Sequence, residues 1–86
     1  MMYEVWNPDD GEIRDILADE ETEAVEELRR RDDDDWEAPD SYPVAVRAKG
    51  ESEWRYYDAM REYWPSFSAS ALSDRPEGFE LPEDEP

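Results

Sequence analysis

The sequence predicts an α+β fold: a small single domain over residues 1–73, with one acidic helix packed on a short antiparallel β-sheet, and a disordered acidic C-terminal tail over 74–86. Three observations predict it. Residues 42–49 alternate apolar and polar side chains, residues 19–31 carry one apolar stripe with charges sorted along it, and proline and glycine recur among acids after residue 73. Eighty-six residues suffice for one core. A domain of that size buries only about 60% of its unfolded surface. Its stability therefore rests on a few large side chains, for which the four Trp, five Tyr and two Phe are the candidates.

Tyr3-Glu4-Val5-Trp6 alternates and is halted by Asn7-Pro8-Asp9-Asp10-Gly11, where proline presets φ and Asp-Gly supplies turn chemistry. A short strand and a turn are expected. Ile13-Arg14-Asp15-Ile16-Leu17 follows as a second extended piece, although its apolar residues do not alternate cleanly. Asp19 is placed to cap a helix running to about Arg31, with Ala24, Val25 and Leu28 forming a narrow core-facing stripe. Asp19, Glu20, Glu21 and Glu23 then sit at the positive end of the helix dipole and Arg29, Arg30 and Arg31 at the negative end. Each charge is favourable there by a few tenths of a kcal/mol. Asp32-Asp33-Asp34-Asp35 ends the helix and opens a polar loop through Asp40, from which Trp36 alone is expected to return to the core.

Tyr42, Val44, Val46 and Ala48 share one face of a strand, and Lys49-Gly50-Glu51-Ser52 is the turn after it. Residues 54–64 fit either element. Tyr56, Tyr57, Met60, Tyr63 and Trp64 match a helical face, while Trp54, Tyr56, Met60 and Trp64 share a strand face. Aromatic enrichment, the preceding glycine turn and Pro65 favour a strand paired with 42–49. Residues 66–72 extend the last element, and Pro76, Gly78, Pro82 and Pro86 mark the tail.

The formal charge is −18, from 27 acids against 9 bases, and it is unevenly placed. Residues 9–40 hold 16 acids and 4 bases, residues 41–73 hold 4 of each, and residues 74–86 hold 6 acids and one Arg. Charge of one sign at this density keeps a chain dissolved but works against its compaction. Eight of the nine bases are arginine, a bias that fits a GC-rich genome or a salt-adapted proteome alike.

Histidine and cysteine are both absent, which excludes imidazole bases, thiol nucleophiles, disulfides and Cys/His zinc sites. Acid–base catalysis by carboxylates needs a pKa moved toward neutrality by burial or a close like charge, and these acids are expected to be exposed. Asp9-Asp10-Gly11-Glu12 and Asp32 to Asp35 offer oxygen ligands, but neither fits an EF-hand loop. No enzyme, metal or cofactor is expected. The N-terminus lacks a signal-peptide pattern, no run of 18 apolar residues occurs, and anionic lipid repels an anionic protein. The expectation is a cytoplasmic protein that does not dock on membranes.

A binding role follows from the acids themselves. Glu20, Glu23 and Glu27 line an outward helix ridge at intervals of about 4.5 to 6 Å, with Glu26 beside them. Extended by Asp32, Asp33, Asp34 and Asp35, that ridge imitates a phosphate track, which in duplex DNA places one charge per roughly 3.4 Å along each strand. Trp36 beside the aspartates is the candidate interface anchor. The expected partner is a basic nucleic-acid-binding protein or nuclease complex, not nucleic acid itself.

Three roles fit these features. The first is a phage-encoded DNA mimic acting against a host defence complex of the CRISPR or restriction type. The second is an antitoxin or immunity protein that blocks a basic nuclease toxin. The third is a salt-adapted acidic domain with no dedicated electrostatic partner, against which the balanced charge of 41–73 argues. A monomer is expected over a homodimer, for which the Ala24, Val25 and Leu28 stripe would be the covering surface.

Overall fold

The computed structural model describes residues 1–9, 11–32, 40–61 and 67–82. Five strands and one helix follow one another as β1 (Met2–Asn7), β2 (Glu12–Leu17), α1 (Glu21–Asp32), β3 (Ser41–Ala48), β4 (Arg55–Arg61) and β5 (Phe67–Leu72). The strands form one sheet in the order β2-β1-β3-β4-β5, every neighbour antiparallel. The chain is an α+β fold, one helix on a five-stranded antiparallel sheet.

The β1–β2 hairpin closes where Asn7 pairs with Glu12. Asn7 is buried, its side-chain Oδ1 accepts the Asp9 N–H at 3.0 Å, and its carbonyl accepts the Gly11 N–H at 3.1 Å. Gly11 stands at φ 69°, a left-handed conformation that glycine adopts without steric cost. In α1 the N-cap position falls on Glu20, whose carbonyl accepts the Ala24 N–H, one residue beyond the expected Asp19. The Glu23 carboxylate reaches back to the Asp19 N–H at 3.1 Å, a near relative of the capping box. The helix ends at Asp32, so the first of the four aspartates belongs to it.

Residues 55–61 form a strand, and its partner is 41–48 through the register Val44 to Tyr57 and Val46 to Arg55. The alternatives left open by periodicity are thereby decided. Residues 67–72 are a further strand rather than a continuation, pairing back on β4 from Tyr56–Leu72 to Arg61–Phe67.

One face of the sheet carries Tyr3, Val5, Ile16, Tyr42, Val44, Val46 and Ala59, and the stripe of Ala24, Val25 and Leu28 seals it. All three stripe residues are almost wholly buried, so they are consumed by the core and leave nothing for a partner copy. The other face is also covered. Trp6, Ala45 and Trp54 are buried there beneath Phe79 and Leu81, with Tyr56 packed against them. Phe79 meets Tyr56 edge-on, the centroids 5.7 Å apart at 84°.

Residues 74–82 are therefore a packed strap, which corrects the expectation of disorder from residue 74 onward over that stretch. The Trp6 indole donates to the Glu80 carbonyl at 2.7 Å, and Arg75 Nε donates to the Phe79 carbonyl at 2.8 Å. A turn sets up the contact: the Phe79 N–H donates to the Pro76 carbonyl at 3.1 Å, with Gly78 at φ 78° as a type II turn requires. Proline and glycine here shape a turn. Residues 83–86 lie outside the described residues.

Aromatic residues supply much of the core, as composition implies. Tyr3, Trp6, Tyr42, Trp54 and Phe79 are buried and Tyr56, Tyr57 and Phe67 are half-buried, while Trp36, Tyr63 and Trp64 lie outside the described residues. Desolvation lifts the Tyr57 hydroxyl above the ordinary tyrosine range, with Glu21 adding to the effect. No helix among the described residues is long and apolar enough to cross a membrane.

Candidate functional site: the acidic face beside the helix

α1 lies across the sheet with its apolar stripe inward, so its remaining side chains divide between two flanks. On the flank toward β2, Glu23, Glu26, Glu27 and Arg30 line a shallow cleft of about 310 Å³ whose opposite wall is Leu17 and Ala18. Glu20 and Glu23 are exposed and Glu26 and Glu27 half-buried. Sequence spacing alone picks out these four carboxylates. Leu17, 72% exposed at the end of β2, is the part it misses. The irregular alternation of residues 13–17 is the signal that could have exposed it, because Ile16 is buried and Leu17, paired with Met2 at the end of the strand, follows it without a polar residue between.

The expected ridge is interrupted at one point. Glu27 accepts from Arg30 Nη1 and, at 3.3 Å, from Arg31 Nε, so its charge is shared with two cations of the same helix. Those arginines sit at i+3 and i+4, the spacing at which helix side chains meet. Glu20, Glu23 and Glu26 make no ion pair among the described residues. Asp32 closes the helix, while Asp33, Asp34, Asp35 and Trp36 lie outside the described residues.

Four acids elsewhere, Glu4, Asp15, Glu21 and Asp40, are engaged within the fold. Glu4 and Arg47 are register partners on β1 and β3, joined at 3.2 Å, and the Arg47 guanidinium lies 4.1 Å from the Trp54 ring centroid. Glu21 pairs with Arg55, and Asp40 with Arg61 at 3.0 Å. Asp15 holds Lys49 at 2.7 Å, a hydrogen bond and charge that raise the lysine pKa. The hydrogen bond and charge of Glu21 likewise raise that of Arg55. Of Arg14, Arg47, Arg55 and Arg61, which sequence reading expects in cross-strand or surface ion pairs, the last three form them with Glu4, Glu21 and Asp40.

What remains is an acidic concavity with an apolar lip. Such a shape accommodates a lysine or arginine side chain, whose methylene stem can lie on Leu17 while its charged head stays among carboxylates. No group of three acids among the described residues is arranged to hold a metal ion. No family model matches the chain, and no curated protein or solved structure matches it.

Proposed function

We propose that this chain is an acidic binding protein that occupies the basic nucleic-acid-binding surface of another protein, as a DNA mimic does, the partner being a defence complex of the CRISPR or restriction type. The observation that carries the reading is the gathering of Glu20, Glu23 and Glu26 on one accessible flank, none of them in an ion pair among the described residues, while Glu4, Asp15, Glu21 and Asp40 are each matched by a cation. Carboxylates held on a helix stand in for phosphates against the partner's lysines and arginines. The net charge steers encounter, and affinity falls as salt screens it.

The test is reversal of the three charges. Glu20→Lys/Glu23→Lys/Glu26→Lys is expected to lose capture of a nucleic-acid-binding protein from bacterial lysate, and to lose competition with DNA for that protein, with an unchanged circular dichroism spectrum. Equal capture by both chains would remove the helix flank from the site.

A second reading, salt adaptation without a dedicated partner, draws on a different observation. Exposed acids occur all round the fold: Asp9, Glu12 and Asp15 on the hairpin, Glu51 and Glu53 before β4, Glu77 and Glu80 on the strap. The charge balance of residues 41–73 also loses force as an argument against it, because much of β3 and β4 is buried or paired. The two readings separate on folding. A binding protein of this kind is cooperatively folded at about 0.1 M salt, whereas a salt-adapted domain folds only as the Debye length falls toward about 3 Å near 1 M.

A further inference from the structure

Phe67-Ser68-Ala69-Ser70-Ala71-Leu72, the whole of β5, carries no charge in a chain that is 42% charged. β5 ends the sheet, and among the described residues β4 is its only strand neighbour. An open edge offers a row of backbone donors and acceptors to any strand that approaches, and proteins blunt such edges with charges, prolines or bulges. The opposite edge obeys that rule, since β2 bears Glu12, Arg14 and Asp15. β5 has none of these charges and no proline, and Ser70 and Ala71 near its middle are exposed.

We propose that β5 is a self-association edge, through which two copies of this chain pair antiparallel and join their sheets. This inference rests on the strand edge and is independent of the proposed function. Charge selects the occupant. Two chains of net charge −18 repel wherever their acids meet, and β5 is the strand that lets a second copy approach without meeting one.

The flanks of β5 then complement each other. A two-fold antiparallel pairing centred on Ser70 sets Ser70 opposite its own copy and Phe67 of one copy opposite Ser73 of the other. Beside Phe67 stand Arg61, its register partner on β4, and Arg30, whose guanidinium is 5.9 Å from the Phe67 ring centroid. Beyond Leu72 the chain runs through Ser73 to Asp74. Asp74 of each copy then lies near the end of the junction where its mate carries Arg61 and Arg30, which also pair with Asp40 and Glu27 of their own chain. The symmetry axis of such a pair is normal to the sheet, so both α1 helices lie on the same side. Because α1 packs chiefly over β5 and β4, the two helices become neighbours, each keeping its acidic flank toward its own β2 and away from the junction.

Sedimentation equilibrium on the purified full chain, with no partner present, tests this. The expected result is a species of twice the 10.2 kDa chain mass. Its dissociation constant should fall about tenfold between 0.15 and 1 M salt, as screening relieves repulsion between copies. Ser70→Glu is expected to sediment as a monomer with an unchanged circular dichroism spectrum, and Ile13→Ser/Leu17→Ser on the far edge as a dimer. Hydrogen exchange read on the wild type alone should show β5 amides slowing with concentration, which covers the case in which Ser70→Glu fails to fold. A wild type that stays monomeric at every concentration and salt overturns the proposal. So does a dimer that survives Ser70→Glu, or one lost in Ile13→Ser/Leu17→Ser.

Discussion

Phe79→Ala is expected to lower the unfolding free energy by about 3 kcal/mol and the melting temperature by about 15 °C. Phe79 is 5% exposed, in edge contact with Tyr56, and with Leu81 it covers Trp6, Ala45 and Trp54. Small domains hold only about 5 to 15 kcal/mol in all, so a single strap residue carries a large share. Deleting residues 74–86 is expected to go further and leave no cooperative transition. Electrostatics alone argues the reverse, because the deletion removes 6 acids and one Arg and relieves self-repulsion. The sign of the change therefore distinguishes a packed strap from a loose acidic tail. Thermal unfolding followed by tryptophan fluorescence reads it directly, since Trp6 and Trp54 lie under the strap.

The strap also shows where sequence reasoning ends. Alternation in 42–49 correctly assigns Tyr42, Val44 and Val46 to the face under α1, because that face follows a period of two. It has no way to reveal that Ala45, on the opposite face, is equally buried. Whether a sheet is covered on one side or both depends on a segment far along the chain, here separated from Trp6 by 74 residues at the Trp6–Glu80 hydrogen bond. Two apolar residues, Phe79 and Leu81, two positions apart in an acidic stretch, were the available trace. Composition outweighed them because proline, glycine and acid together describe a disordered tail and a tight turn equally well.

The helix flank was more legible, since i, i+3 and i+4 spacing fixes which glutamates share a side whatever the tertiary fold. Spacing also contains the pairing of Glu27 with Arg30 and Arg31, although the expected ridge treated Glu27 as a free anion. The cleft itself needed three dimensions. Leu17 and Ala18 become its wall only because β2 ends beside the first turns of α1.

Arginines 29, 30 and 31 look equivalent in sequence, three cations at the negative end of a helix, and in the fold they are not. Arg29 is wholly buried, its guanidinium 4.7 Å from the ring centroid of the buried Tyr42, while Arg30 and Arg31 are more than half exposed and pair with Glu27. Arg29→Ala is expected to cost about 3 kcal/mol, combining the lost packing of its stem with a desolvated cation–π contact of about 2. Arg30→Ala should cost under about 1 kcal/mol, as surface pairs do. A double-mutant cycle of Arg29→Met and Tyr42→Leu, read by denaturant unfolding, isolates the ring contact, and a coupling of about 1 to 2 kcal/mol is expected. Equal losses for Arg29→Ala and Arg30→Ala would mean that the helix dipole alone accounts for both. An unequal pair places one cation in the core of a domain whose surface is overwhelmingly anionic. There it ties the last turn of α1 to Tyr42, at the start of β3.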